Sequence, residues 1–335
     1  MKKIILTILS FLFLYTNAFA GDFVKTSNGI IVRPDAPFNG NAKEVQLIVV
    51  ADNIIRVTAI ADKSKATGRS LMVVGNPTNT AKWTVTSAKG FVSLKTSRLM
   101  ANVNLQTGAV SFSDASGKKL LAEKELGRSL TPEVFDGERL YSVRQDFTTS
   151  PDDAWYGLGQ HQDDLMNHKG YQVQLFQNNT EVAVPFLVSK KNYGVLWDNY
   201  SITQVGDVRP YQSLNALKIF SKTGEQGWLT ASYSNDKRNP SNVVVQRAES
   251  SINYEFLNDS KLFLPKEFKP ENGLATWEGS IASALNGVHR FRFTYAGYAK
   301  VWIDGKLVLD RWRQAWNPGS ANLDVDLQEG KKHAF

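Results

Sequence analysis

Short runs of alternating apolar and polar residues, separated by turn residues, dominate the chain. Residues 45–50 and 54–58 form one such pair, and residues 99–105 and 110–112 form another. Alternation with a period of two is typical of strands that bury one face, and regular spacing of short strands favours an antiparallel β-sandwich. The longest candidate helix, around residues 120–130, is short and weakly periodic. The pattern therefore predicts an all-β protein.

A polar, glycine-containing stretch at residues 221–227 separates a first unit from a second. In the second unit, residues 299–309 alternate around Asp304-Gly305, which favours a tight hairpin because both turn positions accept positive φ. Residues 323–327 form another alternating strand, and the chain ends where a further strand is expected to begin. Because unpaired sheet edges promote association between chains, we expect either a fragment of a longer protein or an incomplete last sheet.

Residues 1–20 have the pattern of a secretory signal peptide. Lys2 and Lys3 precede an apolar run from Ile4 to Tyr15, and a small-x-small cleavage site ends at Ala20. The apolar run is shorter than the roughly 20 residues needed to span a bilayer, so cleavage is expected and a membrane span is not. The predicted location is the periplasm or the exterior of a bacterium.

Composition narrows the chemistry. The formal net charge is +7 and the basic residues are scattered, so the concentrated patch of a nucleic-acid-binding protein is missing from the sequence. With 42% hydrophobic and 21% charged residues, the chain has the composition of a folded protein. It contains no cysteine, which excludes disulfides, thiolate metal ligands and a cysteine nucleophile.

Metal, nucleotide and hydrolytic motifs are weak. His161 and His168 flank Asp163 and Asp164, and these residue types can bind a divalent ion. Their spacing matches no established metal motif, so the favoured interpretation is a solvated loop. The Gly-x-Gly at residues 157–159 is followed by neither a third glycine nor a helix and is typical of a turn. We therefore predict no metal, no cofactor and no catalytic triad.

Aromatic residues lie beside amides and acids at residues 155–161 and 197–200. Sugar sites use this mixture, because aromatic rings cover the apolar faces of sugars while amides bind their hydroxyl groups. The same aromatic residues would also suit the core of a sandwich, and composition alone favours the core.

Three segments carry a resemblance to a known family. Residues 156–160, 178–189 and 193–199 closely resemble the amino-terminal domain of glycoside hydrolase family 31, nearest to its bacterial α-xylosidase branch. That family places a galactose-mutarotase-like β-sandwich before a (β/α)8 catalytic barrel. After the signal peptide at 1–20, the resemblance implies a mutarotase-like antiparallel β-sandwich at 21–222.

The second unit resembles the protective-antigen-type β-module that interrupts this sandwich in xyloglucan-acting members of the family. The resemblance is carried by residues 277–279, 298–305 and 310–318. It implies a carbohydrate-associated β-sandwich module at residues 223–335, incomplete at its end.

The family resemblance implies a retaining exo-hydrolase that removes α-linked xylose or glucose from the non-reducing end of oligosaccharides such as those of xyloglucan. The catalytic carboxylates of such enzymes lie on the barrel, whose motifs are absent from this sequence. We therefore expect a non-catalytic, cleft-shaping part of a longer enzyme, inactive alone, with its own catalytic barrel beyond Phe335 as partner. The alternative is a stand-alone carbohydrate-binding protein of two β-modules, and the choice between xylose and glucose stays open.

The resemblance also implies substrate-binding residues. By position in the family motif, the loop that reaches the leaving-group subsite corresponds to Asn178, Asn179, Thr180 and Glu181; the alternative is a turn capped by Asn side chains. In the second unit, Trp312 and Trp316 follow the predicted hairpin and could stack on sugars or pack inside the module.

Overall fold

The structure, a computed structural model, describes residues 21–63, 70–74, 81–162, 165–177, 181–254, 263–315 and 318–335. Within these ranges nearly all regular structure is antiparallel β-sheet, interrupted by 3₁₀ turns at Ala36–Phe38 and Leu214–Ala216. The prediction of an all-β protein is confirmed. The chain divides into two compact units, one made of Met1–Gly157 with Pro185–Ser201 and the other of Leu158–Val184 with Ile202–Phe335.

Two sheets of the first unit form a sandwich. Their strands are β1 (Asp22–Lys25), β2 (Gly29–Arg33), β3 (Glu44–Ala51), β4 (Ile54–Ile60), β5 (Thr84–Ala88), β6 (Phe91–Lys95), β7 (Leu99–Asn104), β8 (Val110–Asp114), β9 (Lys119–Phe135) and β10 (Glu138–Thr148). One sheet has the order β1-β2-β3-β4, and the other has the order β10-β9-β8-β7-β6-β5.

Alternating residues from both sheets form the core of the first unit. In β3, Val45, Leu47 and Val49 are fully buried, and Val92 and Leu94 of β6 belong to the same buried cluster. Each fully buried Val or Leu side chain contributes about 1.5–3 kcal/mol relative to the exposed state. The period-two pattern of the sequence thus identifies the face of each strand that the sandwich buries.

The hairpins predicted from alternation are present, because β3 pairs with β4 and β7 pairs with β8. The weak helical candidate at residues 120–130 lies in β9, a 17-residue strand. Leu126 has a φ of 57°, and the pairing of β9 with β10 shifts register between Gln145 and Phe147. These irregularities interrupt the alternation and explain why the strand is hard to see in the sequence.

The segment after the sandwich strands supplies β11 (Trp155–Gln160), β12 (Gln172–Leu175), β13 (Val182–Ser189), β14 (Tyr193–Leu196) and β15 (Thr203–Gly206). Three of them form a sheet of order β11-β13-β14, and β12 pairs with β15. The boundaries between the units fall within β11, within β13 and after Ser201, so β12 and β15 belong to the second unit.

The rest of the second unit contains β16 (Lys218–Ser221), β17 (Leu229–Ser234), β18 (Val243–Glu249), β19 (Leu274–Ala282), β20 (Gly287–Tyr295), β21 (Gly297–Ile303), β22 (Lys306–Arg313), β23 (Gly319–Leu327) and β24 (His333–Ala334). The order β16-β19-β17-β18 forms one sheet, and β24 pairs with β19. Two-stranded ribbons β20-β23 and β21-β22 complete this part of the chain.

The hairpin predicted around Asp304-Gly305 is β21–β22, with positive φ of 50° and 75° at the two turn residues. One detail of the expectation is wrong, because β22 continues through Arg313 and Trp312 therefore lies within the hairpin, not after it. The inner face of the hairpin contributes Val301, Ile303 and Leu309 to a second buried core cluster.

Candidate functional site

The outer face of the β21–β22 hairpin presents a row of exposed aromatic side chains. Tyr298 and Trp312 are directly opposite each other on the two strands, and they are 80% and 55% exposed. Directly opposed residues of an antiparallel pair share one face of the sheet. The two rings therefore form a pair on the face that points away from the module's core.

The same face continues toward the turn. Trp302 is 47% exposed and is paired with Leu307, which is 44% exposed. Between the two pairs, Lys300 and Asp310 are opposite each other and form an ion pair with 3.2 Å between Nζ and Oδ2. Sugars bind to surfaces of this kind, since rings cover their apolar faces while charged groups accept or donate hydrogen bonds to hydroxyls.

We define the aromatic face as Tyr298, Trp302, Leu307 and Trp312 with the central Lys300–Asp310 pair. Sequence reasoning selected Trp312 but did not select Tyr298 and Trp302 as site residues. The signal was available, because positions 298, 300 and 302 share one side of a strand with a period of two. Trp316, the other aromatic candidate, lies outside the described residues.

The candidate loop between β12 and β13 is described only in part. Asn178, Asn179 and Thr180 lie outside the described residues, whereas Glu181 is half-buried and immediately precedes β13. Glu181 and Trp312 both belong to the second unit. The substrate-binding role of this loop stays a prediction.

The two histidines of the segment at residues 161–168 are in contact with each other. His161 and His168 meet edge to face with 6.1 Å between ring centroids, while Asp163 and Asp164 lie outside the described residues. Within the part of the chain that the structure describes, no cluster of three or more His, Asp or Glu side chains could hold a metal ion. Nor do the described residues include a helix long and apolar enough to cross a membrane.

The acid of the aromatic segment at 197–200 has structural partners. Asp198 accepts hydrogen bonds from the Ser70 hydroxyl at 2.8 Å and from the Tyr200 hydroxyl at 3.1 Å. It also forms an ion pair of 3.2 Å with Arg56. The Tyr200 hydroxyl in turn accepts a hydrogen bond from the amide of Leu71 at 2.6 Å. Within the first unit, these bonds connect residues 70–71 to residues 198–200.

A buried acid with four donors lies in the second unit. Glu249 is 8% exposed, and its carboxylate accepts hydrogen bonds from Trp277 Nε1 at 2.6 Å, Tyr254 Oη at 2.8 Å, Arg247 Nε at 2.6 Å and Tyr233 Oη. Burial acts to raise the pKa of Glu249, but these donors outweigh it and hold the pKa below its ordinary value. Sequence reasoning missed this cluster because its members come from β17, β18, β19 and the segment after β18.

Two family models match the chain. Residues 44–205 match the glycosyl hydrolase 31 N-terminal galactose mutarotase-like domain. Residues 224–335 match the PA14 domain. The two matches together cover most of the described residues.

Individual relatives agree with these models. The match to the crystal structure of the GH31 α-xylosidase from Xanthomonas citri has 42% sequence identity and a TM-score of 0.75. It covers 92% of this chain and 33% of the α-xylosidase chain. The α-xylosidase of Saccharolobus solfataricus is 28% identical over 191 residues, which is 54% of this chain and 25% of that protein. An uncharacterized family 31 glucosidase of Pseudescherichia vulneris is 33% identical over 97 residues, 29% of this chain and 18% of that protein. This chain therefore spans a third or less of the length of these relatives.

Proposed function

Because the chain combines the N-terminal galactose mutarotase-like domain of glycosyl hydrolase 31 with a PA14 domain, we propose that it is the non-catalytic, substrate-shaping amino-terminal part of an exported α-xylosidase. The observation that carries the proposal is the 42% identity to the Xanthomonas citri α-xylosidase over 92% of this chain. The proposed substrates are oligosaccharides such as those of xyloglucan, with α-linked xylose or glucose at the non-reducing end.

The proposed division of labour follows from the chemistry of retaining glycosidases. Such enzymes use two carboxyl groups about 5 Å apart, one as nucleophile and one as acid and base. We assign both to a catalytic barrel that follows this chain, and assign to this chain the binding of sugars around the cleaved bond. The chain alone is therefore expected to bind oligosaccharides without hydrolysing them.

Within the proposal, the loop at residues 178–181 forms part of the leaving-group subsite. Amide, hydroxyl and carboxylate groups pair with sugar hydroxyls, and a buried polar group left without its partner costs about 1–3 kcal/mol. Such a site therefore discriminates strongly between matching and non-matching sugars. The aromatic face of the PA14 domain extends the binding surface for longer substrates, where each stacked ring contributes about 0.5–1.5 kcal/mol.

The test measures kcat/KM of the full-length enzyme on a xyloglucan oligosaccharide. Replacing Asn179 and Glu181 with Ala is expected to lower kcat/KM about 10- to 100-fold, in line with the loss of paired polar groups. Replacing Asn53 and Glu138, two exposed residues of the first unit, with Ala supplies the matched control. Unchanged kcat/KM in the loop variant would remove the loop from the substrate site.

The aromatic face is tested in the same assay with substrates of two lengths. Trp312→Ala is expected to raise KM for a long oligosaccharide about 2- to 10-fold, the range of one stacked ring, with little change for a short one. Trp312→Phe keeps a ring and should retain most of the affinity. An equal effect on both lengths would argue against an extended binding surface.

Export is proposed from the signal-like residues 1–20. The mature protein is expected to begin at Gly21, and N-terminal sequencing of the secreted or periplasmic form checks this. A cytoplasmic protein that retains Met1 would contradict it.

A further inference from the structure

A short segment before β12 lies against the β20–β23 ribbon of the PA14 domain. The carbonyl oxygen of Gly170 accepts hydrogen bonds from Arg290 Nη1 at 3.1 Å and from Asn322 Nδ2 at 2.9 Å. The residue after next, Gln172, accepts a hydrogen bond from Arg292 Nη1 at 3.0 Å through its side-chain oxygen. Three side chains of the ribbon therefore hold one stretch of three residues.

Strand register explains why these side chains converge. In the β20–β23 ribbon, Arg290 is opposite Asp324, and Arg292 is opposite Asn322. All four positions share one face by the period-two rule. Phe291 and Phe293, which alternate with the two arginines along β20, pack against the buried core of the module. One face of the ribbon thus packs on the core of the module, while the other binds residues 170–172.

The two arginines are themselves fixed in place. Asp324 accepts two hydrogen bonds of 2.7 Å from Nε and Nη2 of Arg290, a fork geometry that orients the guanidinium. The hydrogen bonds from Arg290 also hold the pKa of Asp324 below its ordinary value. The guanidinium of Arg292 lies over the ring of Tyr211, 4.2 Å from the centroid.

Gly170 is suited to this contact by its lack of a side chain. Its φ is +82°, and a Cβ at this position would come within 2.3 Å of Arg290 Nη1. Only glycine adopts this backbone conformation readily while also leaving room for the guanidinium. A side chain at this position would therefore strain the backbone and displace the Arg290 guanidinium.

Residues 170–172 lead into β12, the strand that precedes the candidate substrate loop in the sequence. Gln172 is the first residue of β12, which pairs with β15. Two further residues of β12, Val173 and Leu175, are buried, with 4% and 7% exposure. The hydrogen bonds to residues 170–172 therefore act on the start of the strand that precedes the candidate loop in the sequence.

We propose that Arg290, Arg292 and Asn322 are positioning residues through which the PA14 domain holds the start of β12, the strand that precedes the proposed leaving-group loop in the sequence. The inference rests on the proposed function, since it assigns the loop to a substrate site. It gives the PA14 domain a second role beside any direct sugar contact. Substrate preference is then controlled from the β20–β23 ribbon, by residues that need not touch the sugar.

The first experiment tests these hydrogen bonds without an activity measurement. Hydrogen exchange of the amides at 173–177 is measured in the chain with Asn322→Ala and Arg292→Ala combined, where loss of the hydrogen bonds is expected to speed exchange about 10-fold or more. Lys222→Ala, which removes an exposed ion pair with Glu278, is the matched control and should leave these amides unchanged. Unchanged exchange in the combined variant would overturn the inference.

The contact itself is checked by a double-mutant cycle on Arg292 and Gln172. If the two side chains interact, Arg292→Ala and Gln172→Ala together should speed exchange little more than either change alone. Fully additive effects would show that this contact does not hold residues 170–172 in place and would remove it from the proposed positioning contacts.

The second experiment measures kcat/KM of the full-length enzyme on two substrates, a xyloglucan oligosaccharide and an aryl α-xyloside that has no leaving-group sugar. The combined variant is expected to lose about 10-fold on the oligosaccharide and less than twofold on the aryl substrate; Arg292→Lys should recover part of the loss. An equal fall on both substrates would indicate general damage and overturn the positioning role. A wild-type enzyme that is inactive on both substrates would refute the proposed function. The exchange experiment would still decide whether the ribbon holds residues 170–172.

Discussion

At the scale of single residues, Glu249 shows how the PA14 domain accommodates a buried charge. Four donors from Arg247, Tyr233, Tyr254 and Trp277 surround its carboxylate. An isolated buried carboxylate is costly, but one with all its acceptor positions used is stable as long as every donor stays in place. The same burial and the neighbouring acid raise the pKa of Tyr233. We interpret the cluster as a structural element and not as a catalytic one.

Replacing Glu249 with Gln should therefore destabilise the PA14 domain. Whichever carboxylate oxygen the amide nitrogen replaces, it faces Arg247 or Trp277, which can only donate. A loss of about 2–4 kcal/mol in the free energy of unfolding is therefore expected, measured by urea denaturation. Glu278→Gln, which removes an exposed ion pair with Lys222, should cost less than about 1 kcal/mol. Equal costs for the two variants would show that the donors around Glu249 do not stabilise the fold.

The pH dependence of this effect has a definite sign. Since the pKa of Glu249 is lower in the folded protein than in the unfolded chain, its stabilising contribution is fully present above the unfolded pKa of about 4.3 and is lost as the pH falls below it. The difference in stability between the wild type and Glu249→Gln should therefore shrink in acid.

At the scale of elements, the short strand β24 is held by the turn of the β21–β22 hairpin. Asp304 Oδ2 is 2.7 Å from His333 Nδ1, and Asp304 Oδ1 accepts a hydrogen bond of 2.8 Å from the Ala334 amide. Beyond it, Phe335 exchanges two backbone hydrogen bonds of 2.9 Å with Gly279. A turn residue thus fixes a strand that is only two residues long.

Asp304→Asn should weaken this attachment while leaving the turn intact, because Asn also tolerates positive φ. We expect a loss of about 1–2 kcal/mol, which is at or below the low end for hydrogen bonds to a charged group because the Asp304 side chain is half-exposed, and faster amide exchange at 333–335. The hydrogen bond from His333 lowers the pKa of Asp304, so the loss should be largest above pH about 4 and fade in stronger acid. Asp326→Asn, at an exposed position of β23, is the control; equal loosening there would contradict the assignment.

Alternation and turn chemistry were sufficient to predict individual hairpins. The Asp304-Gly305 turn, for instance, is recognisable from two residues and their apolar neighbours. Contacts between distant positions were not predictable in this way, because the Asp304–His333 and Gly170–Arg290 pairs are separated by 29 and 120 residues. The aromatic face was predicted only in part. The register of β21 and β22 places Trp312 on the same face as Tyr298 and Trp302, and the sequence pattern alone does not give that register.

At the scale of the whole molecule, compact units and family models divide the chain differently. The galactose mutarotase-like model covers residues 44–205, yet residues 158–184 belong to the same compact unit as the PA14 domain. The hydrogen bonds from Arg290, Arg292 and Asn322 contribute to this division, because they tie residues 170–172 to the β20–β23 ribbon. Linear sequence similarity cannot reveal such a division, since it records descent and not contact.

Each unit has a hydrophobic core of its own, and we therefore expect two separable unfolding transitions. Leu94 and Ile281 are both fully buried, the first in the core of the sandwich and the second in the core of the PA14 unit. Leu94→Ala and Ile281→Ala should each cost about 2–5 kcal/mol, because each leaves a cavity. Calorimetry of residues 21–335 should show each variant lowering a different transition.

The control for this experiment is Leu71→Ala, because Leu71 is 79% exposed. Removing an exposed side chain leaves no cavity, so neither transition should move by more than about 0.5 kcal/mol. A single transition that both core variants lower equally would show that the two cores unfold together. The PA14 domain would then stabilise the sandwich as a whole, and its influence on the substrate loop could not be assigned to the β20–β23 contacts alone.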